Sequence, residues 1–217
     1  MAIRALLPGL RDEKLKIAEC VRRAANFLVA SQQPNGQYGP SEYFTMMYAH
    51  GNSLRALCAV QREWPENERL ASIQRGVEYA LAARNPYMGW RYGPRENDND
   101  SKITAVMLLG LLAAKEVGAT VDEKALREAQ SLLEQLTNPD NGRTGFLTRG
   151  DVMSRFTSKQ ATYPGVYSEE PTALHLLVRH ASGEGLDDRE VDRRSIALIR
   201  ALPPEWDATK GTIDLAY

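Results

Sequence analysis

The chain of 217 residues carries 27 Lys and Arg against 28 Asp and Glu, a net charge of −1, with acids and bases interspersed. That balance excludes an electrostatic footprint for nucleic acid or for an anionic membrane surface. The length suits a single domain, residues 1–217, that buries roughly 70% of its unfolded surface, and two cysteines are too few for a disulfide framework.

Met1 to Leu10 hold one Arg and a short apolar run broken by Pro8-Gly9, which is neither a signal peptide nor a membrane span; with a native N-terminus the expected location is cytoplasmic. A first helix is predicted over about 13–31, because Ile17, Cys20, Val21, Ala24, Ala25 and Leu28 form one apolar stripe opposite Lys16, Glu19, Arg22, Arg23 and Asn26. Cys20 and Cys58 are both read as small core residues. An apolar helix follows over about 50–63, then an amphipathic one over 67–84 carrying Leu70, Ile73, Val77, Ala80 and Leu81. Ala105 to Ala114, in a helix over about 100–118, is apolar all round, as expected of a helix buried on every side. It is too short to cross a bilayer, which needs about 20 such residues. Further helices are predicted over about 122–137, 170–182 and 187–202.

A motif recurs after the outer helices. Gln33-Pro34-Asn35-Gly36-Gln37-Tyr38-Gly39, Asn85-Pro86-Tyr87-Met88-Gly89-Trp90 and Asn138-Pro139-Asp140-Asn141-Gly142 place their prolines 52 and 53 residues apart. A fixed period means one supersecondary unit stacked several times. Amphipathic and fully apolar helices alternate, so the reading is all-α: αα-hairpins over roughly 13–63, 67–118 and 122–182 with a partial unit over 187–217, amphipathic helices outside and apolar ones inside. That is an α/α toroid or an open arc of one. Ile213 to Tyr217 read as the start of another inner helix.

Phe27-Leu28, Gln32, Gly36 and Tyr38 resemble a degenerate form of the repeat of squalene and oxidosqualene cyclases, with Tyr38 where Trp is usual. In the second copy Arg84 takes the Gln place and Gly89-Trp90 is kept. Over most of its length the chain resembles bacterial prenyltransferase/squalene-oxidase-repeat proteins of unassigned activity. That likeness is carried by Met47-Tyr48-Ala49-His50-Gly51, by Gly89-Trp90-Arg91-Tyr92-Gly93-Pro94 with Asp98-Asn99-Asp100-Ser101, and by Glu170-Pro171-Thr172-Ala173. The resemblance implies a terpenoid cyclase/protein prenyltransferase type of ring.

In such a ring the inner helices run in one direction, and their N-termini gather at one mouth. Tyr48, His50, Asp98, Asp100, Glu169 and Glu170 then converge, with Asp214 as a further member. Asp98, Asp100, Glu169 and His50 are the candidate acid and base groups; Tyr48, Trp90, Arg91, Tyr92, Glu170 and Tyr167 are candidate ligand contacts. Each has a structural counterpart: acids opening helices cap them, His50 and His175 suit hydrogen-bonded core positions, and the aromatics, Tyr163 among them, suit loop locks. The cyclase acid motif Asp-x-Asp-Asp-Thr-Ala is met only in part, since Ser101-Lys102 follow Asp100, and the inner helices lack the aromatic faces that carbocations require. No Cys/His pair suits zinc, and no Gly-rich phosphate loop is present, so no metal or cofactor is expected. The expected function is a non-catalytic binding module whose central apolar cavity takes a lipid-like or isoprenoid ligand or a partner helix. The alternative is a terpene cyclase-like, polysaccharide lyase-like or glycosidase-like enzyme using mouth carboxylates. An open arc also leaves an end for a second copy or another protein to cover.

Overall fold

The computed structural model describes residues 17–86, 88–152, 169–186, 188–201, 205–207 and 212–214. Among them are seven helices: α1 (Ile17–Ala30), α2 (Met46–Glu63), α3 (Asn67–Ala82), α4 (Ser101–Glu116), α5 (Glu123–Leu136), α6 (Glu170–Ala181) and α7 (Glu190–Ala201). The chain is all-α in its core. A row of helices α2–α4–α6 packs side by side, and the intervening α1, α3, α5 and α7 lie against it.

Sequence pattern sets this layering. Ile103, Ala105, Met107, Leu108, Leu111 and Ala114 put apolar atoms on every side of α4, and all are buried. α5 buries only Ala125, Leu126, Ala129, Leu133 and Leu136, its stripe, and leaves the rest wet. At the α2–α4 crossing Gly110 lies under the Gly51 carbonyl, where a Cβ would come within 3.0 Å of that oxygen. The two central helices thereby approach closer than any larger pair would permit.

The repeated loops act as clips between successive outer helices. Gly36, at φ +91°, sits against the Arg75 carbonyl of α3, and Gly142, at φ +79°, against the Ser195 amide of α7. Gln32 donates through Nε2 to the Ser72 carbonyl of α3 at 2.9 Å, and Arg75 donates back to Gln32 Oε1 at 2.8 Å. In the second copy Arg84 does the same work by pairing with Glu128 of α5. In the third, the Ser195 hydroxyl donates to the Gly142 carbonyl at 2.6 Å and Arg194 donates to the Pro139 carbonyl at 2.8 Å. Replacement of Gly36 by Ala is expected to destabilise the protein by about 3 kcal/mol, because its Cβ meets a backbone oxygen that cannot rotate away and φ is left-handed. Chemical denaturation checks this; a loss under about 1 kcal/mol would mean the clip carries no strain.

Three expectations change. α2 begins at Met46, a turn before the predicted start near 50, because Met46 and Met47 are buried and Thr45 and Met46 donate to the Glu42 carbonyl. His50 therefore lies inside the helix rather than at its entrance. Cys20 is exposed on α1, whereas Cys58 is buried as expected, its thiol pushed up to about 12 by burial. Ile213 and Asp214 belong to a three-residue strand, β2 (Thr212–Asp214), paired antiparallel with β1 (Glu205–Asp207), and not to a helix. Strands this short leave no period-two trace; Leu215 to Tyr217 lie outside the described residues.

Candidate functional site

The connection between α3 and α4 aims the acidic segment. Asn85 donates through Nδ2 to the Asp98 carbonyl and to Asn99 Oδ1, which also accepts from the Gly89 amide at 3.1 Å. Trp90 is fully buried and donates through Nε1 to the Ala80 carbonyl at 2.7 Å, and its amide donates to Thr104 Oγ1 at 3.1 Å. The Asp100 amide donates to the Trp90 carbonyl at 2.9 Å, which delivers Asp100 to the start of α4.

Asp100 caps that helix. Its Oδ1 accepts from the Lys102 amide at 2.8 Å and the Ile103 amide at 3.0 Å, satisfying two orphan donors of the first turn. Oδ2 and the neighbouring Ser101 hydroxyl are buried with no hydrogen-bond partner among the described residues. Burial pushes the Asp100 carboxyl up to about 6; the two amides and the charges of Lys102 and Arg91 pull the other way without prevailing.

The other candidate acids are committed to cations. Asp98 pairs with Arg91 Nη1 at 2.7 Å, and Glu96 lies 3.7 Å from Arg91 Nε. Glu170 of α6 pairs with Lys102 of α4 at 2.6 Å, joining the N-termini of two inner helices. Glu169 is buried and accepts from Arg143 Nε and Thr172 Oγ1, both at 2.8 Å. Where a cap was one expectation for Glu169, its side chain accepts no amide of its helix. The structure thus brings Asp98, Asp100, Glu169, Glu170 and Arg91 into one linked region, with the Lys102 ammonium 5.8 Å from the Phe146 ring centroid.

His50 has a different role. Its Nδ1 accepts from the Tyr38 amide at 3.1 Å, and its Nε2 donates to the Gly76 carbonyl at 3.0 Å. That pair of bonds specifies the neutral Nε2–H tautomer, and burial lowers the ring to about 4. With no exposure and both nitrogens used, His50 has no atom left for a substrate. Tyr38 stacks on it at 5.5 Å and Tyr79 lies 4.7 Å away. Trp90, fully buried, and Tyr92, at 5% exposure, lock loops and present no stacking face. Tyr48 is half-buried on α2. Tyr163 and Tyr167 lie outside the described residues.

Two features escape sequence reasoning. Tyr43 and Phe44 are half exposed; Phe44 packs edge to face on Tyr43 and on Tyr92, Tyr43 lies tilted against Tyr92, and their adjacency in the polar run Ser41-Glu42-Tyr43-Phe44-Thr45 was the available signal. An apolar groove of about 400 Å³ opens between α6 and α7, lined by Ala173, Leu176, Leu177, His180, Leu186 and Ile199. Leu177, 45% exposed, stands out beside the buried Leu176 and Val178, but the groove arises only where α6 meets α7. Among the described residues no cluster of His, Cys, Asp or Glu could hold a metal ion, and no helix is long and apolar enough to cross a membrane.

No family model, no curated protein and no solved structure matches this chain.

Proposed function

We propose that this chain is a non-catalytic binding module of the terpenoid cyclase/prenyltransferase-repeat type, an open α/α-toroid arc that holds a lipid-like or isoprenoid small molecule. The observation that carries the reading is the groove between α6 and α7. Its volume of about 400 Å³ lies in the range of small-molecule sites, and five of its six lining residues are aliphatic. The alternation of inner and outer helices supports the arc. The pairing of Asp98, Glu169 and Glu170 with cations supports binding over catalysis, since acid–base hydrolysis needs a second uncommitted carboxylate.

Native mass spectrometry of the purified protein, with release of whatever stays bound, tests the proposal. An apolar small molecule is expected to be retained and to be lost in Ala173→Trp, which fills the groove while α6 remains helical by circular dichroism. A ligand-free protein that also fails to bind farnesol in titration would overturn it. One observation favours the enzyme reading, namely the buried carboxyl of Asp100, whose Oδ2 has no partner among the described residues. Turnover abolished in a folded Asp100→Asn variant would move the assignment to a cyclase- or lyase-like enzyme.

A further inference from the structure

Asp100 differs from its acidic neighbours in where its charge can go. One oxygen holds two amides, the other meets no donor among the described residues, and the side chain is fully buried. The two described cations that act on it are spent: Lys102 on Glu170 of α6, and Arg91 on Asp98 and Glu96. Among the described residues, a negative charge on Asp100 is therefore buried without an ion-pair partner of its own, a situation that either protonation or access to water relieves.

The first turn of α4 is also a junction. The Ser101 amide donates to the Phe146 carbonyl at 3.1 Å, and Lys102 bridges to α6. We propose that Asp100 is a proton-operated latch on this turn. Protonated, it keeps the turn closed on Phe146 and on the Lys102–Glu170 bridge; ionised, it draws the turn toward solvent and loosens the mouth between α4 and α6. The latch is independent of what the α6–α7 groove binds. Its size follows from the carboxyl's rise from 3.8 to about 6: ionisation favours the opened, hydrated turn by up to about a hundredfold.

Amide hydrogen exchange at Lys102, Ile103 and Thr104, followed from about pH 4.5 to about 7.5 and corrected for intrinsic exchange, reads the opening constant. The wild type is expected to open about 25-fold more at the upper end of this range than at the lower, with a flat profile in Asp100→Asn. A pH-independent wild type, or the same rise in the variant, would overturn the latch. Carbon-13 titration of the Asp100 carboxyl in the wild-type protein needs no variant: a midpoint near 6 supports the latch, and one below about 5 overturns it even if Asp100→Asn fails to fold.

Discussion

Exchange of His50 for Phe is expected to destabilise the fold by about 3–5 kcal/mol and to change how stability responds to acid. The variant retains a flat ring beside Tyr38 and Tyr79 but leaves the Tyr38 amide and the Gly76 carbonyl buried without partners, at roughly 1–3 kcal/mol each. The pH effect comes from two groups that oppose each other. His50 is lowered in the fold from 6.5 to about 4, so the unfolded chain takes up its proton first, and stability is lost as pH falls through that window. Asp100 is raised from 3.8 to about 6, so its contribution is full below the unfolded value and is lost as pH rises to about 6. Each limb is on the order of 3 kcal/mol, and in the wild type they largely cancel between about 4 and 6. Relative to wild type, His50→Phe uncovers the Asp100 limb and loses stability as pH rises. Asp100→Asn uncovers the His50 limb and loses stability as pH falls. Urea denaturation of all three proteins across this range measures both differences. Parallel profiles would show that neither group titrates as its surroundings dictate.

Removal of the Glu134 carboxylate by Glu134→Ala is expected to destabilise by about 3 kcal/mol, chiefly by releasing α7. Glu134 of α5 accepts from Arg179 of α6 at 2.9 Å and from Arg189 beside α7 at 2.9 Å, and it lies 3.4 Å from His175 Nε2. Asp192 of α7, itself buried, binds the same two arginines at 3.1 and 3.0 Å. Although burial opposes it, the bond from His175 and the Arg189 guanidinium hold the Glu134 carboxyl well below the usual carboxylate range. Stability from this group is therefore present above about 4.5 and is lost as pH falls through the depressed value. The Arg179 side chain is only 6% exposed, so loss of an acceptor leaves a buried cation underpaired; the figure stays at the low end of 3–5 kcal/mol because Glu134 is 37% exposed. Denaturation gives the magnitude, and exchange confined to Glu190–Ala201 gives the location. A loss below about 1 kcal/mol, or exchange spread evenly over the helices, would contradict the ionic lock.

The structure also accounts for how a degenerate repeat keeps its geometry. Gln32 and Arg84 differ in charge and shape, yet each ties the end of one outer helix to the next, through the Ser72 carbonyl and Glu128. Tyr38 and Trp90 are both fully buried, and each spends its polar atom on a neighbouring element, Ser72 Oγ and the Ala80 carbonyl. What repeats is a connection between helices rather than a residue. A polar terminal atom and a small Gly-containing loop suffice to make it.

Residue periodicity alone determined the seven helices to within a few residues, their alternation between amphipathic and apolar faces, and the 52- to 53-residue repeat. It did so because burial of a stripe or of a whole circumference is a local property of spacing. Capping by Asp100 was equally legible, since a carboxylate needs only the two amides that follow it. Tertiary structure decided what local spacing could not encode. His50 became a core residue because the Tyr38 amide and the Gly76 carbonyl, 12 residues before it and 26 after it, close on its two nitrogens. Glu169 and Glu170 became ion-paired because Arg143 arrives from the loop after α5 and Lys102 from α4. The groove exists only where α6 and α7 pack, and the charge state of Asp100 depends on cations that are committed elsewhere. Burial patterns follow the chain, whereas the partner of each polar atom is set by segments that meet only after folding.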